Sequence, residues 1–191
     1  MSHPGRLSGA PSLARAAGVA AGSKRGVSPS VAQVRACSRQ FASGVSVVTT
    51  CGADSQPYGL TVTAVLCVSL EPSVFLVSVA ESSQTLPAIL GRGAFAINIL
   101  AAGQEMVAEV FASKAGADKF KHVPYRVSDE RLPLLRGALA TLECELLHAY
   151  AGGDHRLLVG EVIAANVSPG RPLLRYDGPY FGVERDCAGE R

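Results

Sequence analysis

Two consecutive runs rich in β-branched and aliphatic residues, within residues 58–85, constrain the fold of this chain more than any other feature. Residues 58–69 alternate small polar with aliphatic side chains, and residues 74–79 are almost entirely apolar. A turn at Glu71-Pro72 separates them, as expected for neighbouring antiparallel strands. If residues 58–69 form one strand, its period of two places Thr61, Thr63, Cys67 and Ser69 on one face. Such a face suits a flat polar ligand.

The composition indicates which classes of protein fit. The chain has 191 residues, of which 48% are hydrophobic and 18% charged, and this predicts one globular domain with its own core. A net charge of +2 argues against nucleic acid as the main partner, and no apolar run approaches the roughly 18 residues of a membrane span. The cysteines lack paired or metal-ligand spacing, so we expect free thiols in the cytoplasm and no metal site. They are Cys37, Cys51, Cys67, Cys144 and Cys187.

The two ends of the chain differ from its middle. Residues 1–29 are rich in Gly, Ala, Ser and Arg and contain no acidic residue, which predicts a disordered basic tail. A transit peptide has a similar composition, and the sequence leaves that alternative open. We expect the folded domain to occupy residues 30–185 and a short tail to follow at 186–191.

The order of predicted elements favours a mainly β fold. Ser30 is expected to cap an amphipathic helix that reaches Phe41, and a second helix is expected to end at Gly91. A third helix is predicted at residues 101–112, with Met106 and Phe111 among its apolar side chains. Further strands are expected at residues 44–51, 94–100, 137–150 and 156–167, and one short strand within 170–182. Strands in hairpins with few helices predict a closed or half-open antiparallel β-barrel with helical insertions, and nucleotide fingerprints such as GxGxxG are absent.

Eight segments, taken in order, resemble the short-chain flavin reductase family. They are FASGVSVVTT, GLTVTAVLCVSLEP, SSQT, FAIN, DKF, GALATLEC, GGDHRLLVGEV and GRPLLRYDGPY, and the resemblance covers residues 34–183. Members of this family reduce FMN or FAD with NADH or NADPH and serve two-component monooxygenases. The resemblance implies the FMN-binding split β-barrel, a Greek-key-like antiparallel barrel, and a homodimer with the flavin near the subunit interface.

The resemblance also implies which residues contact the flavin. The family commonly has Asn or Ser at the position of Thr63, and Ser at the positions of Ala64 and Cys67. Because this chain differs at all three, its individual side-chain hydrogen bonds to the flavin are expected to differ, while the backbone ones are kept. The hydroxyl cluster before the second helix corresponds to the phosphate site, although the same residues also suit a helix N-cap. The complete set implied for the flavin is Thr61, Val62, Thr63, Ala64, Cys67, Val68, Ser69, Ser82, Ser83, Thr85, Phe111 and Lys119.

The GDH turn carries the implied nicotinamide contact. His155 is the candidate catalytic residue, and Gly153, Asp154 and Tyr180 are expected to bind the same nucleotide; the alternative is an ordinary surface hairpin. The implied reaction moves a hydride from nicotinamide C4 to flavin N5 and requires no protein acid or base. Two other functions stay open: a flavin-binding electron carrier, and an oxygen-dependent flavoenzyme that uses the Cys67 thiol. The choices between FMN and FAD, and between NADH and NADPH, also stay open.

Overall fold

The computed structural model describes residues 28–113 and 117–183, and within these ranges the chain is mainly antiparallel β-sheet. The predicted tails, except for residues 28 and 29, lie outside the described residues. The helices are α1 Val31–Ser38, α2 Thr85–Arg92 and α3 Glu105–Ala112, with a 3₁₀ helix at Ala117–Lys121. The strands are β1 Ser43–Gly44, β2 Ser46–Cys51, β3 Pro57–Val62, β4 Val65–Leu70, β5 Ser73–Ala80, β6 Ala94–Ile99, β7 Tyr125–Val127, β8 Pro133–Leu135, β9 Ala140–Gly152, β10 His155–Val167, β11 Leu173–Arg175 and β12 Tyr180–Gly182.

The main sheet has seven strands in the order β3-β2-β6-β9-β10-β5-β4. Its two edge strands, β3 and β4, follow each other in the chain and are separated only by Thr63 and Ala64. Three Cα–Cα steps span at most about 11 Å, so the sheet must curl until its opposite edges approach each other. The Ser78 amide donates a hydrogen bond to the Ala64 carbonyl (3.1 Å) at this junction. The predicted fold class, a mainly β split barrel with helical insertions, is confirmed.

The prediction of one strand over residues 58–69 is wrong. The chain pairs with β2 up to Val62 and with β5 from Val65 onward. The two segments are separate strands because the curl of the sheet requires a break between its two edges. A bulge between Cys67 and Ser69 changes the alternation again. The four polar side chains therefore do not share one face.

Several element boundaries also differ from expectation. Helix α2 ends at Arg92 and not at Gly91. The C-cap that follows, Gly93, has a φ of +72°, a left-handed conformation that suits glycine. Helix α3 begins at Glu105, because Ala101 forms a bridge to Pro172. Met106, predicted on the apolar side of α3, is 70% exposed. The one short strand predicted within residues 170–182 is in fact two strands, β11 and β12.

Two main core clusters lie against the sheet. The first includes Leu86 and Ile89 of α2 with Phe95 and Ile97 of β6, and the second includes Phe111 of α3. Helix α1 starts with the predicted Ser30 cap, which forms a capping box with Gln33, yet it buries none of its residues. Within residues 28–113 and 117–183, no helix is long and apolar enough to cross a bilayer.

Candidate functional site

A cleft of about 310 Å³ lies between β3, the connection from β5 to α2, and the end of α3. It brings together six of the residues predicted to bind the flavin, from four separate parts of the chain. They are Thr61, Ser82, Ser83, Thr85, Phe111 and Lys119. The other lining residues are Tyr58, Gly59, Leu60, Ala80, Gln84, Ala112 and Ser113.

The hydroxyl side of the cleft is built around the start of α2. The Ser83 hydroxyl accepts a hydrogen bond from the Thr85 amide (3.2 Å). The N-cap of α2 is Gln84, which makes no side-chain capping bond, so the expected N-cap role of these hydroxyl residues is wrong. Ser82 is exposed and Thr85 is buried. None of the lining residues is acidic, and hydroxyls beside a helix N-terminus favour an anion.

Lys119 forms the opposite, cationic side. Its ammonium group donates hydrogen bonds to the carbonyls of Gly59 (3.2 Å) and Phe111 (3.1 Å), which leaves one of its three N–H donors for a ligand. Burial lowers the pKa of Lys119, because the charged form is partly removed from water. An anion in the cleft would offset that cost, so this donor set fits an oxyanion such as a phosphate.

Gly59 is a lining residue that the sequence analysis missed. A Cβ atom there would lie 2.7 and 2.9 Å from ring carbons of Phe111 and 3.3 Å from Phe120. The two rings pack edge to face with centroids 4.9 Å apart. Glycine thus lets β3 approach α3 closely, and a glycine within a strand pattern is the signal that could have indicated it.

The other predicted flavin residues lie outside this cleft. Val62 is in the first core cluster, and Thr63 and Ala64 line a second cleft at the junction of β3 and β4. Cys67 and Val68 are exposed on edge strand β4, where the Ser69 hydroxyl accepts a hydrogen bond from the Glu71 amide. Their contact with a flavin stays a prediction.

The GDH turn lies beside the rim of the cleft. His155 pairs with Ala80, a lining residue, and the Glu81 amide donates to the Asp154 carbonyl (2.9 Å). Gly153 has a φ of +74°, which the turn requires. The His155 Nδ1 lies 2.7 Å from the Asp154 carboxylate, an interaction that lowers the pKa of Asp154. The imidazole Nε2 is therefore the atom left to meet a ligand.

Tyr180 is placed apart from that turn. It lies on β12, packs against the second core cluster, and has the Arg175 guanidinium carbon 5.7 Å from its ring centroid. It does not line the first cleft. Its role toward a nucleotide stays a prediction.

The thiols differ sharply in environment. Burial, with a contribution from Glu143, raises the pKa of Cys144 to about 12, so this thiol stays protonated at neutral pH. Burial also raises the pKa of Cys51, whereas Cys37 and Cys67 are exposed. Across the described part of the chain, no group of three or more His, Cys, Asp or Glu side chains could hold a metal ion.

A model of the family described as "Flavin reductase like domain" matches residues 38–184. The chain belongs to this family. The match covers the whole first cleft, the GDH turn and every residue of the second cleft except Arg35, and the family membership predicted from the eight segments is confirmed.

Similar proteins agree with this assignment. The NADH-dependent FAD reductase of Streptomyces globisporus is 37% identical over 153 residues, which are 78% of this chain and 83% of that protein. The reductase subunit HsaB of a flavin-dependent monooxygenase from Mycobacterium tuberculosis is 35% identical over 148 residues, covering 76% and 78% of the two chains. Among solved structures, the NADH:FAD oxidoreductase SgcE6 of Streptomyces globisporus, in complex with NAD and FAD fragments, has a TM-score of 0.77 and 34% identity. That alignment covers 82% of this chain and 94% of SgcE6.

Proposed function

We propose that this flavin reductase family member transfers a hydride from NADH or NADPH to FMN or FAD and supplies the reduced flavin to a partner monooxygenase. The observation that carries the proposal is the convergence of Lys119 with the hydroxyls of Ser82, Ser83 and Thr85 in one cleft of a family-matched fold. The relatives named above as an FAD reductase and as a monooxygenase subunit support the same activity.

The cleft residues bind and orient the flavin. Lys119 and the hydroxyls would hold its phosphate, and Phe111, which lines the same cleft, would contact the ribityl side. The Thr61 hydroxyl donates to the Ala108 carbonyl (2.7 Å), which fixes β3 against α3. The chain continues from Thr61 to Thr63 and Ala64. The backbone N–H and C=O groups of this segment would form hydrogen bonds with the polar edges of the flavin ring.

The GDH turn orients the nucleotide that delivers the hydride. When both groups are bound, the chemistry that they supply is hydride transfer from nicotinamide C4 to flavin N5. Because this step needs no protein acid or base, we assign His155 a positioning task through its Nε2. Its hydrogen bond to Asp154 fixes the ring for that contact.

The test is nucleotide oxidation by the purified full-length protein in the presence of FMN, FAD or riboflavin. We expect NADH or NADPH oxidation only when flavin is present. Tight flavin binding without nucleotide oxidation would replace the reductase by an electron carrier.

We further propose that the protein is a cytoplasmic homodimer with its catalytic domain at residues 30–185. The four described cysteines form no disulfide, which agrees with a reducing compartment.

The edge strand β4 exposes Leu66, Val68 and Leu70, and Met106 on α3 is also exposed. A second copy that covers β4 would bury this apolar edge and enclose the flavin segment. Activity of a chain trimmed to these bounds tests the domain limits.

A further inference from the structure

A second cleft, of about 460 Å³, lies at the Thr63–Ala64 connection and has no lining residue in common with the first. Its walls come from α1 and the residues after it, from the connection between β3 and β4, and from the turn between β11 and β12. The lining residues are Arg35, Ser38, Arg39, Phe41, Ser43, Thr63, Ala64, Arg175, Asp177 and Gly178.

The cleft has an excess of positive charge. Three arginines line it against a single carboxylate, that of Asp177. Arg35 and Arg39 are four residues apart at the end of α1, where like charges are neighbours and repel each other, although the helix C-terminus offsets part of this. Among the described residues, none of the three arginines forms a salt bridge with a carboxylate. An anion in the cleft would relieve the repulsion.

The walls are held together by specific hydrogen bonds. The Asp177 amide donates to the Arg39 carbonyl (3.2 Å), and the Tyr176 hydroxyl donates to the Gln40 side chain (3.1 Å). Ser43 of β1 pairs with Arg175 of β11. Helix α1 buries no side chain, so these contacts at its C-terminal end attach it and bring its two arginines next to Arg175.

We propose that this arginine cleft binds the diphosphate of the pyridine dinucleotide, an inference that rests on the proposed reductase function. The planar guanidinium of arginine matches phosphate oxygens in a two-pronged geometry. The flavin phosphate already has Lys119 and the hydroxyls of the first cleft, whereas Arg156, the cation that follows the GDH turn, is paired with the Glu81 carboxylate. Arg175 also lies over Tyr180, which gives that predicted nucleotide residue a place beside this cleft.

The spacing between this cleft and His155 suits one dinucleotide. Ala64 lies beside Ser78 on one side of β5, and His155 pairs with Ala80 on the other side. Two strand spacings and two residues along the strand separate Ala64 from His155 by roughly 12 Å. The nicotinamide ring and its ribose together, met from the two ends by the His155 and arginine side chains, can span a gap of that order.

The experiment compares Arg35→Gln and Arg39→Gln with Arg136→Gln, which removes the same charge from an exposed residue outside the cleft. The Arg39 carbonyl, and hence its bond to Asp177, is kept in the variant. Calorimetry of ADP-ribose binding to the FMN-saturated full-length protein should show a Kd raised roughly tenfold in each cleft variant and unchanged in the control. With FMN as acceptor, the KM for NADH should rise similarly, and the preference for NADH over the phosphate-free donor 1-benzyl-1,4-dihydronicotinamide should fall.

Two results would overturn the inference. One is an unchanged ADP-ribose affinity in both cleft variants. The other is a loss of FAD affinity relative to FMN with ADP-ribose binding intact, which would assign the cleft to the diphosphate of FAD. Calorimetry measures binding without turnover, so the two proposals can fail separately. If the protein binds ADP-ribose through these arginines but oxidises no NADH, the diphosphate site is supported and the reductase function is not.

Discussion

At the scale of single residues, Lys119 is held in the first cleft by the carbonyls of Gly59 and Phe111, which belong to two other elements. Burial lowers the pKa of Lys119 in the folded protein. At pH values between that lowered pKa and the ordinary lysine pKa, the unfolded chain therefore binds more protons than the folded one. Over this window stability therefore rises with pH, and below it the cost of burying the charge is present in full. A bound phosphate acts in the opposite direction, because it stabilises the charged form.

From this we predict that FMN affinity falls as pH rises through the lowered pKa of Lys119. Lys119→Gln should weaken FMN binding roughly tenfold at neutral pH, as expected for the loss of a hydrogen bond to a charged group, and should flatten the pH profile. Fluorescence titration measures both, and riboflavin, which lacks the phosphate, is the matched control. Equal losses for FMN and riboflavin would place Lys119 away from the phosphate.

The second prediction at this scale compares His155 with Cys67. His155→Ala should raise the KM for NADH roughly two- to tenfold, the effect of one lost hydrogen bond, with little change in flavin affinity. His148→Ala is the control, because His148 is an exposed histidine on the same hairpin, partnered with Val159. An inactive Cys67→Ser variant beside a normal His155→Ala variant would mean that the thiol performs the chemistry, and the reductase assignment would be dropped.

At the scale of secondary-structure elements, local pattern explains some features and misses others. The Ser30 cap, strand β5 and the β9–β10 hairpin could be predicted because their signals lie within each segment. The break at Thr63–Ala64 could not, because period-two alternation continues through it and only closure of the sheet separates β3 from β4. For the same reason the residues of the first cleft were assigned to the flavin from the resemblance alone. Gly59 carried a local signal, a glycine within a strand pattern, whereas the arginine cleft required the fold, because its arginines come from both ends of the described chain.

The β9–β10 hairpin contains a test of its packing. At Gly160, where the register shifts, a Cβ atom would lie 2.8 Å from the Phe95 ring and 2.9 Å from the Cys144 Cβ, and both of those residues are buried. Gly160→Ala should therefore destabilise the fold by about 1–3 kcal/mol in urea unfolding. Gly91→Ala is the control, since nothing lies within 4 Å of its Cβ position in α2 and alanine favours a helix. Equal stability of the two variants would show that the hairpin adjusts freely.

At the scale of the whole molecule, the two clefts are lined by consecutive parts of the chain, the first by β3 and the second by the connection between β3 and β4. Thr61, near the end of β3, lines the first cleft, and Thr63, just beyond the end of that strand, lines the second. The edge strand that follows exposes large apolar side chains: Leu66 is 59% exposed and Leu70 75%. A ligand bound along this segment would share that exposure unless another molecule covered it.

The last prediction is that a second copy of the chain provides this cover. Burying apolar surface contributes about 25 cal/mol per Å², and unpaired strand edges with exposed aliphatic side chains otherwise promote aggregation. Sedimentation at micromolar concentration with saturating flavin should therefore give a dimer, and Leu66→Lys should shift it to monomer with weaker flavin binding. Leu90→Lys, which places the same charge at an exposed leucine of α2, should leave the dimer intact. A flavin-saturated wild-type monomer would contradict the proposal, and the ring would then have to be enclosed by one chain alone.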